Sequence, residues 1–331
     1  ILRDGSAEIV RRGMGTENDL KMTENSGRME EADPACVSSF AKKRQLKQMG
    51  SLGSGNHYLE ILQPEKIFDE HAAKVFGIDP NGVVILIHCG SRALGHQIGT
   101  DCLQIFRKKI GSAIKIFPHI DLIGVQPHSQ EGLSYFYAVN AAMNCAFANR
   151  QILTHLVRQV LQEVTGVSGS DFRTLYDVGH NHLKRETHWI SGIKKEVYVH
   201  RKGATRNLPP EHPDLPSEYA ATGQPVLVGG SMGTCSYILA GEKSTEQTFN
   251  STIHGAGRLL SRHQSRNANE NRDLVGEMGK KGIRLCSISK KGLLEEAPEA
   301  YKDIENVVSV MCQAGINRRV VRLKPIICIK G

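Results

Sequence analysis

The chain has 331 residues, of which 42 are Lys or Arg and 34 are Asp or Glu, giving a formal charge of +8 and a sequence pI near 9.0. A composition that is 40% hydrophobic and 23% charged excludes a disordered chain, a collagen and a bundle of membrane spans, and it requires a buried core. At roughly 150 residues per domain the length allows two domains, and a single large α/β domain equally well.

Residues 1–35 are polar and weakly periodic, and are expected to form an exposed helix and loop region. They show no signal peptide, and with Ile1 in place of Met the chain reads as a piece of something longer. The basic run from Cys36 to Met49 suits a helix, the segment Gly50 to Gly55 a glycine-rich turn, and the alternation from His57 to Leu62 a strand. Val83 to His88 is continuously apolar and predicts a buried strand, followed by a turn at Cys89 to Arg92 and a helix from Leu94 to about Ile110. The longest helical pattern runs from Ser134 to Val164 and stops at Thr165-Gly166.

Beyond that helix the chain turns β-rich, with short strands expected at Arg173–Val178, Glu196–His200, Pro225–Val228 and Ser236–Ala240. Helices are expected at Gly255–Gln264 and Glu296–Ala314, and two closing strands at Val320–Leu323 and Ile326–Ile329. The fold class is therefore α+β, a mixed α/β arrangement of β-sheets flanked by helices, with no fixed-period repeat.

Eight cysteines are scattered without a CxxC pair, which disfavours a zinc knuckle or a disulfide framework. Reduced thiols in the cytoplasm or nucleus are the expectation, and no apolar run is long enough to span a bilayer.

Histidines cluster in glycine-flanked settings at predicted strand ends: His57, His88, His180 with His182, His200 and His254. Backbone and ligand approach closely at such turns, and neutral imidazole is a common metal ligand. Converging imidazoles suit Zn, Fe, Ni or Cu, whereas Mn and Mg prefer added oxygen donors, so spacing leaves the metal open. Singly, each residue is as readily a hydrogen-bonded surface or core histidine.

His254-Gly255-Ala256-Gly257-Arg258 is expected to run into a helix, a setting that receives phosphate on backbone N–H groups and places an imidazole beside it as nucleophile or general acid. A plain glycine-rich N-cap is the competing reading. Gly229-Gly230-Ser231-Met232-Gly233-Thr234 forms a second phosphate-compatible turn, while a Walker A loop and a dinucleotide fingerprint are both absent. Lys42 to Arg44, His200 to Lys202, Arg206, and Arg258, Arg262 and Arg266 at four-residue spacing could follow a nucleic-acid backbone or form an ordinary solvated face.

The segments GSLGSGNHYLEI, HCGSRALGHQIG, AMNCAFANRQ, YDVGHNHLKRETH, VHRKGATR, PVLVGGSMGTCSY, STIHGAGRLLSR, EEAPEAYKDI and RLKPIICIKG occur in this order. They resemble the RtcB family of RNA ligases, nearest the archaeal and eukaryotic tRNA-splicing type, and correspond to its C-terminal two-thirds. The resemblance makes residues 36–331 an N-terminally incomplete catalytic domain and residues 1–35 a remnant of the part before it.

The resemblance implies a GTP- and Mn-dependent ligase, with two Mn ions in the complete site, joining RNA 2′,3′-cyclic phosphate or 3′-phosphate ends to 5′-hydroxyl ends. It implies that His254 takes GMP covalently and that His57, His88 and His180 bind metal. Nucleotide contacts are implied for Asn56, His57, Tyr58, Leu59, Glu60, His180, Asn181, Gly229, Gly230, Ser231, Met232, Ser236, His254, Gly255, Ala256, Gly257, Tyr301 and Lys330. The implied partners are RNA, as tRNA exon halves or broken ends, subunits of a tRNA-ligase complex and an archease-type activating protein, with no membrane.

The family's DxxCG motif, source of an Asp and a Cys ligand, has no counterpart here. Cys89 stands where Ser is usual, while Ala93 and Asn250 each stand where Gly is usual, and Ala93 is expected to carry strain if its turn needs positive φ. Apart from the resemblance, the residues leave open a non-catalytic RNA-binding or complex-forming remnant, or a metal-dependent phosphoesterase using the same histidines.

Overall fold

A 36-residue helix with a long buried face needs neighbours, and the first part of the chain is built to supply them. The computed structural model describes residues 1–116, 119 and 122–331. The helices are α1 (Gly5–Arg11), α2 (Glu17–Lys21), α3 (Ser39–Gln45), α4 (Glu70–Val75), α5 (Ala93–Ile110), α6 (Gln130–Thr165), α7 (Arg262–Ala268), α8 (Leu274–Lys280), α9 (Lys290–Glu295) and α10 (Ile304–Gln313). The strands are β1 (Tyr58–Ile67), β2 (Val84–His88), β3 (Asn181–Ile190), β4 (Ile193–Lys202), β5 (Ala204–Arg206), β6 (Pro225–Val228), β7 (Ser236–Gly241), β8 (Ser251–Ile253), β9 (Arg284–Ser287) and β10 (Asn317–Lys330). Two units result, Ile1–Ser51 with Cys89–Lys184, and Leu52–His88 with Arg185–Gly331. The fold is mixed α+β, and no helix among the described residues is long and apolar enough to cross a membrane.

The first unit is helical. Ser129 caps α6 through its side chain, and Gly166, in the left-handed conformation, closes it four residues after Gln162, as a C-terminal glycine should. Leu94 and Ile98 of α5, Ala138, Ala141 and Cys145 of α6 and Ala41 of α3 form one buried cluster. Small residues on the α6 side let these helices approach closely.

Residues 1–35 differ from the exposed region expected of them. Ile9, Asp19 and Glu24 are buried, because Asn144 of α6 pins the segment through its backbone. Its Oδ1 accepts from Met29 N–H at 2.7 Å, and its Nδ2 donates to the carbonyls of Leu2, Arg3 and Met29. Polar composition misled here because the segment buries ion pairs as well as apolar groups.

Asp19 illustrates the point. Burial opposes its ionisation, yet bonds from Arg158 at 2.7 and 2.8 Å, from Thr174 and from the Thr16 N–H outweigh that and hold its carboxyl well below the usual range. A depressed folded-state pKa contributes stability that is complete above the unfolded value near 4 and is lost as pH falls toward the folded value. Urea midpoints at pH 7 should therefore be lower for Asp19→Asn than for the parent, with the gap closing below about pH 4. A gap that stays constant down to pH 3 would refute this role.

The second unit centres on a sheet of order β2-β1-β10-β7-β6, with β9 added parallel to β10. The two expected closing strands are one strand, β10, that passes through Pro325. Its pairing with β7 ends at Leu323 and its pairing with β9 begins at Ile327, so the residue without an N–H falls between two neighbours. β2 is half-buried along its length, not fully buried, because it is an edge strand. Met232, Leu274, Met278, Leu285, Leu293 and Cys328 close one core, while Val226, Val228, Tyr237, Leu239, Ile304 and Val308 close another. Each fully buried large aliphatic side chain among them contributes roughly 1.5–3 kcal/mol.

Arg173–Val178 forms no strand and makes only an isolated bridge, Thr23 to Asp177. The expected short strand at Glu196–His200 is the middle of a ten-residue strand, β4, which makes a hairpin with β3 across the two-residue turn Ser191-Gly192. Both turn residues have positive φ, 52° and 78°, the left-handed geometry that two-residue hairpins favour.

Candidate active site

In the second unit three strand ends bring histidines together. His57 immediately precedes β1 and His88 ends β2; the antiparallel register sets Tyr58 opposite His88. The ring centroids of His57 and His88 are 6.0 Å apart, and those of His88 and His254 are 5.9 Å apart. Ring nitrogens of His88 and His254 lie within 4.8 Å of each other.

Two of the rings are oriented by backbone carbonyls. His57 Nδ1 donates to Leu52 O at 3.1 Å, and His254 Nδ1 donates to Gly203 O at 2.7 Å. A proton held on Nδ1 places the lone pair on Nε2, the arrangement of a ligating or nucleophilic imidazole. Burial lowers the His254 pKa, as does the nearby Lys202 ammonium, against the Gly203 bond, which raises it. The neutral form is thereby favoured at neutral pH. Gly203 has φ 64°, and a Cβ there would stand 3.3 Å from His254 Cε1, so glycine leaves room for the ring.

No helix begins directly after His254. The expected Gly255–Gln264 helix begins only at Arg262 and is seven residues long. The intervening chain is extended instead: Gly229 N–H donates to His254 O at 3.3 Å, and Ala256 N–H donates to Gly229 O at 3.1 Å. These bonds consume the first residues of the supposed helix and lay the His254 segment alongside the Gly229–Ser236 turn. A phosphate would thus meet two adjoining glycine-rich loops, not a helix terminus.

The turn itself is held closely. Ser236, fully buried, accepts the Gly230 N–H at 3.1 Å, and Thr234 Oγ1 accepts the Ser231 N–H at 2.7 Å. A Cβ on Gly229 would lie 1.9 Å from Tyr58 Oη, and one on Gly230 would lie 2.1 Å from Cys235 O. Met232 buries its side chain in the core with Met278 and Leu274, so only its backbone can face a ligand.

Strand alternation sorts the residues of β1. Tyr58 and Glu60 are buried on one face, and Leu59, between them, turns its side chain to the other. Asn56 lies in the turn before His57. Lys330, at the end of β10, sets its ammonium 5.2 Å from the Tyr58 ring centroid and 3.5 Å from Gly55 O. Burial pushes the Glu60 carboxyl up to about 7, although Lys330 and a hydrogen bond with Cys328 pull it down; burial lowers the Lys330 ammonium.

Gly257 and Tyr301 are joined through the backbone, Lys302 N–H donating to Gly257 O at 2.9 Å, with Arg258 and Tyr301 forming an isolated bridge. Arg258 and Arg262 both reach the buried Glu296, at 2.9 and 3.3 Å, Arg266 pairs with Glu295, and the Tyr301 hydroxyl donates to Glu296. The expected arginine stripe is therefore largely committed to internal carboxylates. Glu296 was missed because nothing in the sequence marks it as a meeting point.

His180 and Asn181 belong to the first unit, where Glu24 brackets them. Its Oε2 accepts Gly179 N–H at 2.9 Å and its Oε1 accepts Lys184 Nζ at 2.6 Å. In the same unit Arg150 binds Asp177 at 2.6 Å and Cys89 O at 3.0 Å. Positive φ at the turn before α5 falls on Arg92, at 55°, and not on Ala93, which is helical. In the second unit, Asn250 has φ 48°, a conformation that Asn tolerates better than most residues that could replace glycine.

Half-buried imidazoles, two of them held by backbone carbonyls, beside paired glycine loops form an arrangement compatible with a divalent cation. The family profile described as "tRNA-splicing ligase RtcB" matches residues 1–331. A protein of Methanococcus maripaludis called "tRNA-splicing ligase RtcB" is 46% identical over 334 positions, covering all of this chain and 70% of that protein. One of Mycobacterium bovis called "RNA-splicing ligase RtcB" is 45% identical over all of this chain and 76% of its own length. A Pyrococcus abyssi protein called "tRNA-splicing ligase RtcB" is 47% identical, and this chain spans 36% of it. The chain belongs to the RtcB family of RNA ligases.

Proposed function

We propose that the chain joins RNA 3′-phosphate ends to 5′-hydroxyl ends at the cost of GTP, with His254 as the guanylyl acceptor and tRNA halves as the natural substrate class. The observation that carries this is the bond from His254 Nδ1 to Gly203 O, which leaves Nε2 as the nucleophilic nitrogen of a neutral ring beside two glycine loops. Nε2 attacks the α-phosphorus of GTP, an N–P bond forms and pyrophosphate leaves. An RNA 3′-phosphate oxygen then takes the GMP and returns the imidazole. Finally the 5′-hydroxyl oxygen attacks the RNA phosphorus, GMP departs and a 3′,5′-phosphodiester remains; a 2′,3′-cyclic end must first take up water.

Imidazoles suit a divalent cation, and the family resemblance assigns His57, His88 and His180 to hold it and manganese as the ion, since imidazoles alone do not choose the metal. When bound, the cation would neutralise charge on the phosphate oxygens. The two glycine loops, Gly229 to Met232 and Gly255 to Gly257, would lie against the phosphates. Glu60, once ionised, is suited to accept the guanine N1–H and amino group, with Asn56, Asn181, Tyr301 and Lys330 completing the nucleotide site. Subunits of a tRNA-ligase complex and an archease-type activator are the partners this reading predicts.

Incubation with Mn and GTP radiolabelled at the α-phosphate should leave acid-labile, base-stable label on the chain, as a phosphoramidate requires, and His254→Ala should reduce it at least 1,000-fold (about 4 kcal/mol in the barrier). Label that survives this substitution rules out His254 as the acceptor.

A further inference from the structure

The β3–β4 hairpin carries chemistry that the ligation reaction does not use. Along β3, Arg185, Thr187 and Trp189 are exposed while Glu186 and His188 turn inward. The two-residue turn aligns the matching face of β4, so that Lys194 sits with its Nζ 5.7 Å from the Trp189 ring centroid and Glu196 lies 4.0 Å from Arg185. Tyr198, His200 and Lys202 continue this face by alternation. Lys202 is followed directly by Gly203, the residue that holds His254.

Trp189 is the single tryptophan of the chain and is 64% exposed. Leaving so large an aromatic in water is costly unless something covers it. Exposed cations accompany it on this face, Arg185, Lys194 and Lys202, against one exposed carboxylate, Glu196. The hairpin is anchored from its inner face, where Arg201 forks onto Glu186 and also donates to Ser251 Oγ and Phe249 O. An aromatic surface interleaved with cations on a fixed two-stranded ribbon is the composition of a single-strand binding platform.

We propose that this outer face binds single-stranded RNA, with a base stacked on Trp189, Lys194 and Lys202 paired with phosphates, and the strand directed along β4 toward His254. Charge complementarity selects a polyanion, and the planar indole selects one with exposed bases. The choice of RNA rests on the ligase reading above.

Trp189 supplies its own probe, since it is the only tryptophan that can report. A short single-stranded oligoribonucleotide, added to the full chain without GTP and with metal chelated, should quench its emission saturably, and duplex RNA should quench it less. Labelled-RNA anisotropy should show Trp189→Ala weakening binding about tenfold or more, Trp189→Phe retaining most of the affinity, and Lys194→Gln reducing the salt slope by about one. GMP labelling of Trp189→Ala should match the parent, because that step involves no RNA. An unquenched Trp189 in a complex proven by anisotropy, or equal affinity for Trp189→Ala, overturns the proposal. Quenching by RNA in a chain that takes no GMP would support the platform while removing the ligase reading.

Discussion

Replacing Glu24 with alanine should cost about 3–5 kcal/mol of stability, because it leaves the Lys184 ammonium buried without its carboxylate. Glu24 is fully buried, and its two oxygens hold Lys184 Nζ at 2.6 Å and Gly179 N–H at 2.9 Å. Asn25 Oδ1 also accepts from Lys184 Nζ, at 2.5 Å, but a neutral acceptor cannot compensate a desolvated charge. The same substitution unties Gly179, whose Cα is already tight against Met143: a Cβ there would be 2.4 Å from Met143 Cε. His180, next in sequence and proposed above as a ligand, should lose its orientation, and cation affinity should then fall about 10- to 100-fold, as when an outer support of a ligand is removed. Urea denaturation at pH 7 and Mn titration measure the two effects separately. The double variant Glu24→Ala with Lys184→Met should recover part of the stability, since it removes the stranded charge; a Glu24→Ala variant within 1 kcal/mol of the parent would count against the whole account.

Gly229→Ala should reduce GMP labelling about 100-fold or more, since the new methyl would occupy a point 1.9 Å from Tyr58 Oη and must displace a loop proposed to touch phosphate. The cause is specific enough to be reversed. Without the hydroxyl the nearest atom of the ring is Cζ, at 3.2 Å, so Tyr58→Phe combined with Gly229→Ala should regain most of the labelling. Tyr58→Phe alone should have a small effect, because it leaves the loop where it is. If the double variant is as poor as Gly229→Ala, the glycine is needed for its own backbone and not for the contact with Tyr58.

How much of this was legible in the sequence varies by element. The span of α6 and its end at Gly166, the strands β6 and β7, and α5 after its glycine turn all follow from short-range pattern, because amphipathic spacing and a left-handed cap act within a few residues. The segment after His254 was misjudged because glycines followed by Arg, Leu and Ser suit a helix locally, whereas hydrogen bonds to Gly229, 25 or more residues away, draw it into an extended path. The two closing strands expected at Val320–Leu323 and Ile326–Ile329 are one strand for the same reason: whether Pro325 is tolerated between them depends on which neighbours lie beside it.

Among the candidate site residues, the histidines and glycine turns stood out by type and setting, since imidazole is a common ligand and functional residues gather at such turns. Glu296, Glu24 and Arg150 carried no such mark. Their importance comes from meeting Arg258, Gly179 and Asp177, contacts between residues 38, 155 and 27 positions apart.

Residue chemistry and short-range order were enough to decide the family and the fold class and to nominate candidate side chains. Long-range packing decided which face of β1 each residue presents, which nitrogen of His57 and His254 is protonated, and why the basic stripe at Arg258 is bound to internal carboxylates. The division has one physical origin. Propensity and periodicity act between residues a few positions apart, whereas burial, ion pairing and carbonyl bonds to imidazoles depend on partners that only the folded chain brings within reach.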